Sequence, residues 1–240
     1  MSPILTVARR ELRAYFNSAL AYAFIVSFLV VCGVFFFFVN GFFAANQASM
    51  RLWFGLMPIV LSVLLPALTM RLWADEKRQG TYELLRTLPF SETQLVLGKH
   101  LAVFGLIGIT ALASLPVPAL CSLFGRFDTG VIASSYIGLV LLASASASVG
   151  QLVSALSKNQ ITAFLVSVLV LLALNLTHVV TTWAALPSWL AAMFNWLSLG
   201  YHFTSFLRGV FDTRDVAYFV FLTAAGLYLA VKELRFAAWR

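Results

Sequence analysis

Six apolar runs, each about 20 residues long, decide the solvent this chain folds in. They fall near Ala19–Phe42, Phe54–Leu72, Leu101–Leu123, Ile132–Leu156, Ile161–Trp183 and Val216–Leu234. Inside a bilayer each backbone N–H and C=O in such a run has to bond within its own segment, so each run is predicted to be a helix. The residues are 61% hydrophobic and only 10% charged, whereas a water-soluble domain carries about 25% charge. The expected fold is an all-α membrane protein with one transmembrane domain over residues 1–240. No secretory signal peptide is evident, because the first run is long enough to span and lacks a cleavage site.

The segments between the runs refine this picture. Residues 1–17 are amphipathic: Leu5, Ala8, Leu12, Tyr15 and Phe16 recur at helical spacing, and Arg9, Arg10 and Arg13 take the other side. Such a helix is expected to lie at the headgroup level with its arginines toward phosphates. Residues 184–215 are too many for a turn and too apolar for a soluble loop, and Pro187, Gly200 and Gly209 interrupt them. One or two short interfacial or re-entrant helices are expected there, before the last span. Ser144, Ser146, Ser148 and Gly150 in the fourth run are small enough for close helix packing, and Pro58, Pro66, Pro116 and Pro118 are expected to bend their helices. With six spans, one side collects twelve of the sixteen Lys and Arg residues and the other receives Arg51, Arg126, Arg208 and Arg214. The positive-inside bias therefore places both termini and residues 73–99 in the cytoplasm.

Most chemistry is excluded. The spans hold no mid-membrane acid, no HExxH and no G-x-S-x-G elbow. Cys32 and Cys121 lie in apolar runs and read as small hydrophobes. His178, near the outer end of the fifth run, reads as a satisfied interfacial histidine, and His100, beside Lys99, as a topology signal. Asp212 and Asp215 fit the start of the last helix, with Asp212 or Thr213 capping it and Arg208 and Arg214 near enough to pair with the acids. The basic residues form no patch interleaved with exposed aromatics, so no nucleic-acid partner is expected. No P-loop is present, and the absence of mid-membrane carboxylates disfavours ion coupling. Energy is expected from a partner.

One segment is left for that partner to read. Asp75, Glu76, Lys77, Arg78, Glu83 and Arg86 crowd into a short helix-favouring connector between the second and third runs. The sequence from Glu76 through Gly80, Thr81, Glu83, Leu84, Leu85 and Arg86 to Pro89 resembles the connector of type-2 ABC transporter membrane subunits, with its Asp/Glu-Lys/Arg-x-x-Gly-Thr-x-Glu-x-Leu-x-x-x-Pro pattern. The N-terminal amphipathic helix, six spans and apolar fifth gap match that family's layout. Leu197–Phe203, with Tyr201, His202 and Phe203, and Arg208–Asp215 are similar to the gliding-motility-type branch.

The resemblance implies a permease subunit in the bacterial inner membrane that binds no cofactor itself. ATP and Mg would be held by a cytoplasmic ABC ATPase dimer, and a second permease copy or paralogue would complete the path. A membrane protein with a large extracytoplasmic domain is a further partner of this branch. Residues 81–88 would be the coupling helix, with Glu83 and Arg86 as polar contacts and Leu84 and Leu85 as anchors. Arg9, Arg10 and Arg13 would belong to the connecting helix. Tyr201, His202, Arg208, Asp212, Arg214 and Asp215 would form the outer gate corner. Alternatives are a non-transporting anchor or mechanotransmitter for an ATPase, and a membrane-embedded lipid-modifying enzyme using that corner. A permease for cofactor or copper-site maturation is a further option, although no Met/His/Cys cluster offers direct metal passage.

Overall fold

The computed structural model describes residues 2–39, 42, 49–87, 89–183 and 187–237. Thirteen α-helices and no strand occur among these residues. They are α1 (Pro3–Asn17), α2 (Ala19–Val34), α3 (Arg51–Gly55), α4 (Met57–Thr69), α5 (Ala74–Gln79), α6 (Thr81–Thr87), α7 (Glu92–Ser114), α8 (Pro116–Cys121), α9 (Thr129–Leu156), α10 (Gln160–Trp183), α11 (Ser188–Leu197), α12 (Leu199–Leu207) and α13 (Thr213–Ala237). A π segment, Phe35–Val39, extends α2. Among the described residues six helical stretches are long and apolar enough to cross a membrane: Ala19–Val39, Met57–Gln79, Glu92–Cys121, Thr129–Leu156, Gln160–Thr181 and Thr213–Phe236.

The third span differs most from expectation. It starts at Glu92, not Leu101, because Ser91 and Gln94 form a capping box. Ser91 Oγ accepts from the Gln94 N–H at 3.3 Å, and Gln94 Oε1 accepts from the Ser91 N–H at 3.1 Å. Helix therefore runs through Lys99 and His100. Proline acts as a boundary as much as a bend: Pro58, Pro116 and Pro118 sit in the first turns of α4 and α8, and among the described residues Pro66 is the one in a helix interior. The missing N–H costs nothing in a first turn, where that donor has no partner anyway.

α9 is the axis of the fold, with α13, α4, α10, α7 and α12 packed around it. Its small residues make that possible. A Cβ on Gly150 would fall 2.3 Å from Thr69 Oγ1, so any larger residue would push α4 off α9. Ser146 and Ser148 are buried, which gives the small-residue run a packing role within one subunit. The chain's alternation puts α1, α5, α6 and the α9 and α13 C-termini at one end, called the connector end here, and α11 and α12 at the other.

α1 is amphipathic as expected, but its buried face meets protein. Val7 and Tyr15 are buried, and a Cβ on Gly98 of α7 would fall 2.6 Å from Val7 Cβ. Tyr15 Oη donates to the Leu68 carbonyl at 3.0 Å, tying α1 to α4. Arg9, Arg10 and Arg13 are exposed.

Candidate functional site

The connector is two short helices, α5 and α6, hinged at Gly80, which takes the left-handed φ of 70° that other residues resist. A six-residue helix such as α5 does not hold in isolation. Its start is fixed from outside: Ser154, in the last turn of α9, accepts from the N–H groups of Trp73 (3.1 Å) and Ala74 (3.2 Å). The same hydroxyl donates to the Met70 carbonyl at 3.0 Å. Lys77 donates to the Ala155 carbonyl, which satisfies an open carbonyl at the end of α9. α6 is rooted by Tyr82, whose Oη donates to the Leu234 carbonyl of α13 at 3.0 Å, and by buried Leu85.

Beneath the connector lies a buried charge cluster. Lys99 of α7 is 1% exposed. Its Nζ lies 2.7 Å from Glu76 Oε1 and 3.3 Å from Glu11 Oε1, and 4.9 Å from the centre of the Trp73 ring. An unpaired ammonium in this position would cost several kcal/mol, on the order that forbids it. Two carboxylates and an aromatic face make it tenable. Three elements distant in sequence, α1, α5 and α7, are thereby joined through one nitrogen. Burial alone would raise the Glu11 carboxyl, but the Lys99 charge and the Arg10 hydrogen bond outweigh it and hold that group below the usual carboxylate range. Glu11, Tyr15, Arg71, Asp75, Glu76 and Lys99 line a polar cavity of about 140 Å³ beside the cluster.

The expected coupling residues thus divide. Glu76 is turned inward to Lys99, and Thr81 Oγ1 donates at 3.4 Å to the Glu76 carbonyl across the Gly80 hinge. Glu83 and Pro89 are exposed, and Leu85 is buried. The side chains of Leu84 and Arg86, and residue Leu88, lie outside the described residues. Lys99, Glu11, Trp73 and Ser154 belong to this site and were not singled out in sequence for it. The available signals were a lone acid among the arginines of residues 1–17 and a lysine just ahead of the third apolar run.

At the far end the corner residues also separate. His202 Nδ1 lies 2.6 Å from Asp215 Oδ1 and Nε2 2.9 Å from the Trp196 carbonyl, while the ring stacks on Tyr218 at 3.9 Å. His202 and Asp215 are buried. Both ring nitrogens already have protein partners, which leaves neither for acid/base work on a substrate. Asp212 caps α13, accepting from the Arg214 N–H at 2.9 Å. Asp215 does not act as a cap acceptor, because His202 claims it. Tyr201, Arg208 and Arg214 are exposed, and among the described residues neither arginine pairs with these acids. His178 Nδ1 lies 2.8 Å from the Asn175 carbonyl and 2.9 Å from Ser198 Oγ, joining α10 to the start of α12.

His100 is also not a surface signal. It is buried, with Nε2 3.1 Å from Ser144 Oγ. Among the described residues, no group of three or more His, Cys, Asp or Glu side chains is placed to hold a metal ion.

Comparison with individual curated proteins returned no match. Residues 42–231, from the end of the first span to the last turns of α13, match the family model described as ABC-2 family transporter protein.

Proposed function

Because the chain belongs to the ABC-2 transporter family, whose members are membrane transport components generally not catalytic themselves, we propose that its connector passes ATP-driven motion from a cytoplasmic ATPase dimer into the spans. The chain is a multi-pass permease subunit. We place its connector end in the cytoplasm of a bacterial inner membrane. Setting aside buried Lys99, the Lys and Arg distribution still favours that side by eleven to four.

The observation that carries the coupling reading is the way the connector is fastened. Glu83 of α6 stands in solvent where a partner can grip it. Behind it, Ser154, Lys77, Tyr82 and Lys99 fix α5 and α6 to α9, α13, α7 and α1. A push on α6 is then delivered to the axis of the fold instead of being absorbed by a loop. Such motion switches packed helices between discrete arrangements.

A second copy or paralogue would seat on the face made by α2, α4 and α10. The two outer helices both pack on α4. They leave Val26 and Val30 on α2, and Ile161, Leu165 and Leu169 on α10, exposed. The corner at 197–215 supports kinship with the gliding-motility-type branch, which would add a partner with a large extracytoplasmic domain.

The test is to co-express the tagged chain with the ATPase that co-purifies with it and reconstitute both. Glu83→Lys should lower stimulation of that ATPase at least about tenfold at unchanged membrane abundance. Full stimulation in that variant would remove α6 as the contact.

A further inference from the structure

The third, fourth and sixth spans enclose a groove that the coupling reading does not use. α7 and α13 flank α9 and leave a groove of about 610 Å³, lined from α7 by Thr93 to Phe104 and from α13 by Val220 to Arg235. α7 and α9 leave a second groove of about 720 Å³ toward the far end. Val140 and Leu141 line both, so the two adjoin. The α13 wall presents Val220, Ala224, Leu227 and Val231, one per turn.

The polarity of the first groove is graded along its length. At mid-depth Ser144 already meets His100, and Thr223 donates to the Phe219 carbonyl at 2.8 Å, so neither asks for a ligand. The charge stands at the connector end. There Arg235 Nη2 lies 3.4 Å from Thr93 Oγ1, and the side chain is 59% exposed. Its one ion pair among the described residues, to Glu92, is stretched to 4.0 Å. Most of the five guanidinium N–H donors are therefore uncommitted. Exposed Lys232, three residues earlier, lies over the Phe236 ring at 5.9 Å and adds positive charge to the same end of α13 from outside the groove.

Length decides what fits. From Arg235 to Ala224 is eleven residues, about 16 Å of helix, which matches the roughly 15 Å hydrocarbon depth of one leaflet. An apolar trough of one-leaflet length ending in a forked cation complements a phospholipid: acyl chain along the wall, phosphate at the guanidinium. A neighbouring helix would fill the trough without supplying the anion.

We propose that the α7–α9–α13 groove is a binding site for an anionic phospholipid, its phosphate held by Arg235 and Thr93 and one acyl chain laid along Val231, Leu227 and Ala224. The assignment to the cytoplasmic leaflet rests on the orientation proposed above; the site itself does not.

Native mass spectrometry of the purified full chain tests it, with phosphatidylglycerol and phosphatidylethanolamine titrated separately. Phosphatidylglycerol should bind at least about fivefold more tightly, the value of one cation at a membrane surface. Arg235→Gln should bring the two lipids to parity, Arg235→Lys should keep part of the preference, and Ala224→Phe should weaken both lipids. If Ala224→Phe does not fold, Val220→Phe fills the other end of the same wall. Equal binding of the two lipids overturns the proposal, as does a preference unchanged in Arg235→Gln. Competition by inorganic phosphate alone, or a polypeptide cross-linking to a Tyr228→Cys variant in native membranes, would overturn it as well. None of these readouts involves an ATPase, so this site and the coupling reading fail separately.

Discussion

Buried polar side-chain contacts sit at both ends of the molecule, and they do different work. At the connector end Lys99 reaches Glu76 and Glu11, which lie 23 and 88 residues away, on separate helices. At the far end His202 meets Asp215 only 13 residues on, across a single corner. The first contact fastens three elements into one body; the second staples a local bend so that α11 and α12 stay against α13. Long-range pairing suits the force-bearing joint proposed above, in which load entering α5 would leave through α1 and α7. Local pairing holds shape without carrying load between spans.

Breaking each contact sharpens that contrast. The largest effect is expected from Lys99→Met, which strands two carboxylates in a buried site and should cost about 3–5 kcal/mol, read by reversible unfolding in mixed micelles. Amide exchange should rise in α1 and α5 together. Asp215→Asn should cost less, about 2 kcal/mol, and its added exchange should be confined to residues 188–215. Equal spread of exchange from both variants would erase the distinction. Ser154→Ala leaves the Trp73 and Ala74 N–H groups without their acceptor and should cost about 1–3 kcal/mol, with α5 loosened and α9 unchanged. Asp212→Ala removes one helix cap and should cost about 1 kcal/mol, without disturbing His202.

The six spans, the amphipathic first helix and the helical connector were legible in sequence because each depends on a local pattern: an apolar run, a helical stripe, a cluster of charge. The joint was not. Lys99 stands two residues before the expected third run, at a membrane boundary, and a boundary lysine ordinarily faces water. Its burial depends on Glu11, whose proximity is created only when α1 folds back along α7 over Gly98. The capping box at Ser91 was a readable signal that would have moved the third helix start and placed Lys99 inside it. At the far end Asp212 caps the last helix as its spacing suggests, while the expected arginine pairing with Asp215 gives way to His202. Asp212 and Asp215 resemble a cap pair on the page, and only the turn of α12 shows that His202 takes the second acid.

The central claim is that one buried charge cluster binds the connector to α1 and the third span. A double-mutant cycle between Lys99→Met and Glu76→Gln, read by reversible unfolding of the chain in mixed micelles, tests it most directly. The double variant should recover about 1–3 kcal/mol of the sum of the single losses, because removing both partners leaves fewer buried charges unpaired. Strictly additive losses would mean that Lys99 and Glu76 do not share a site, and the joint described here would not exist.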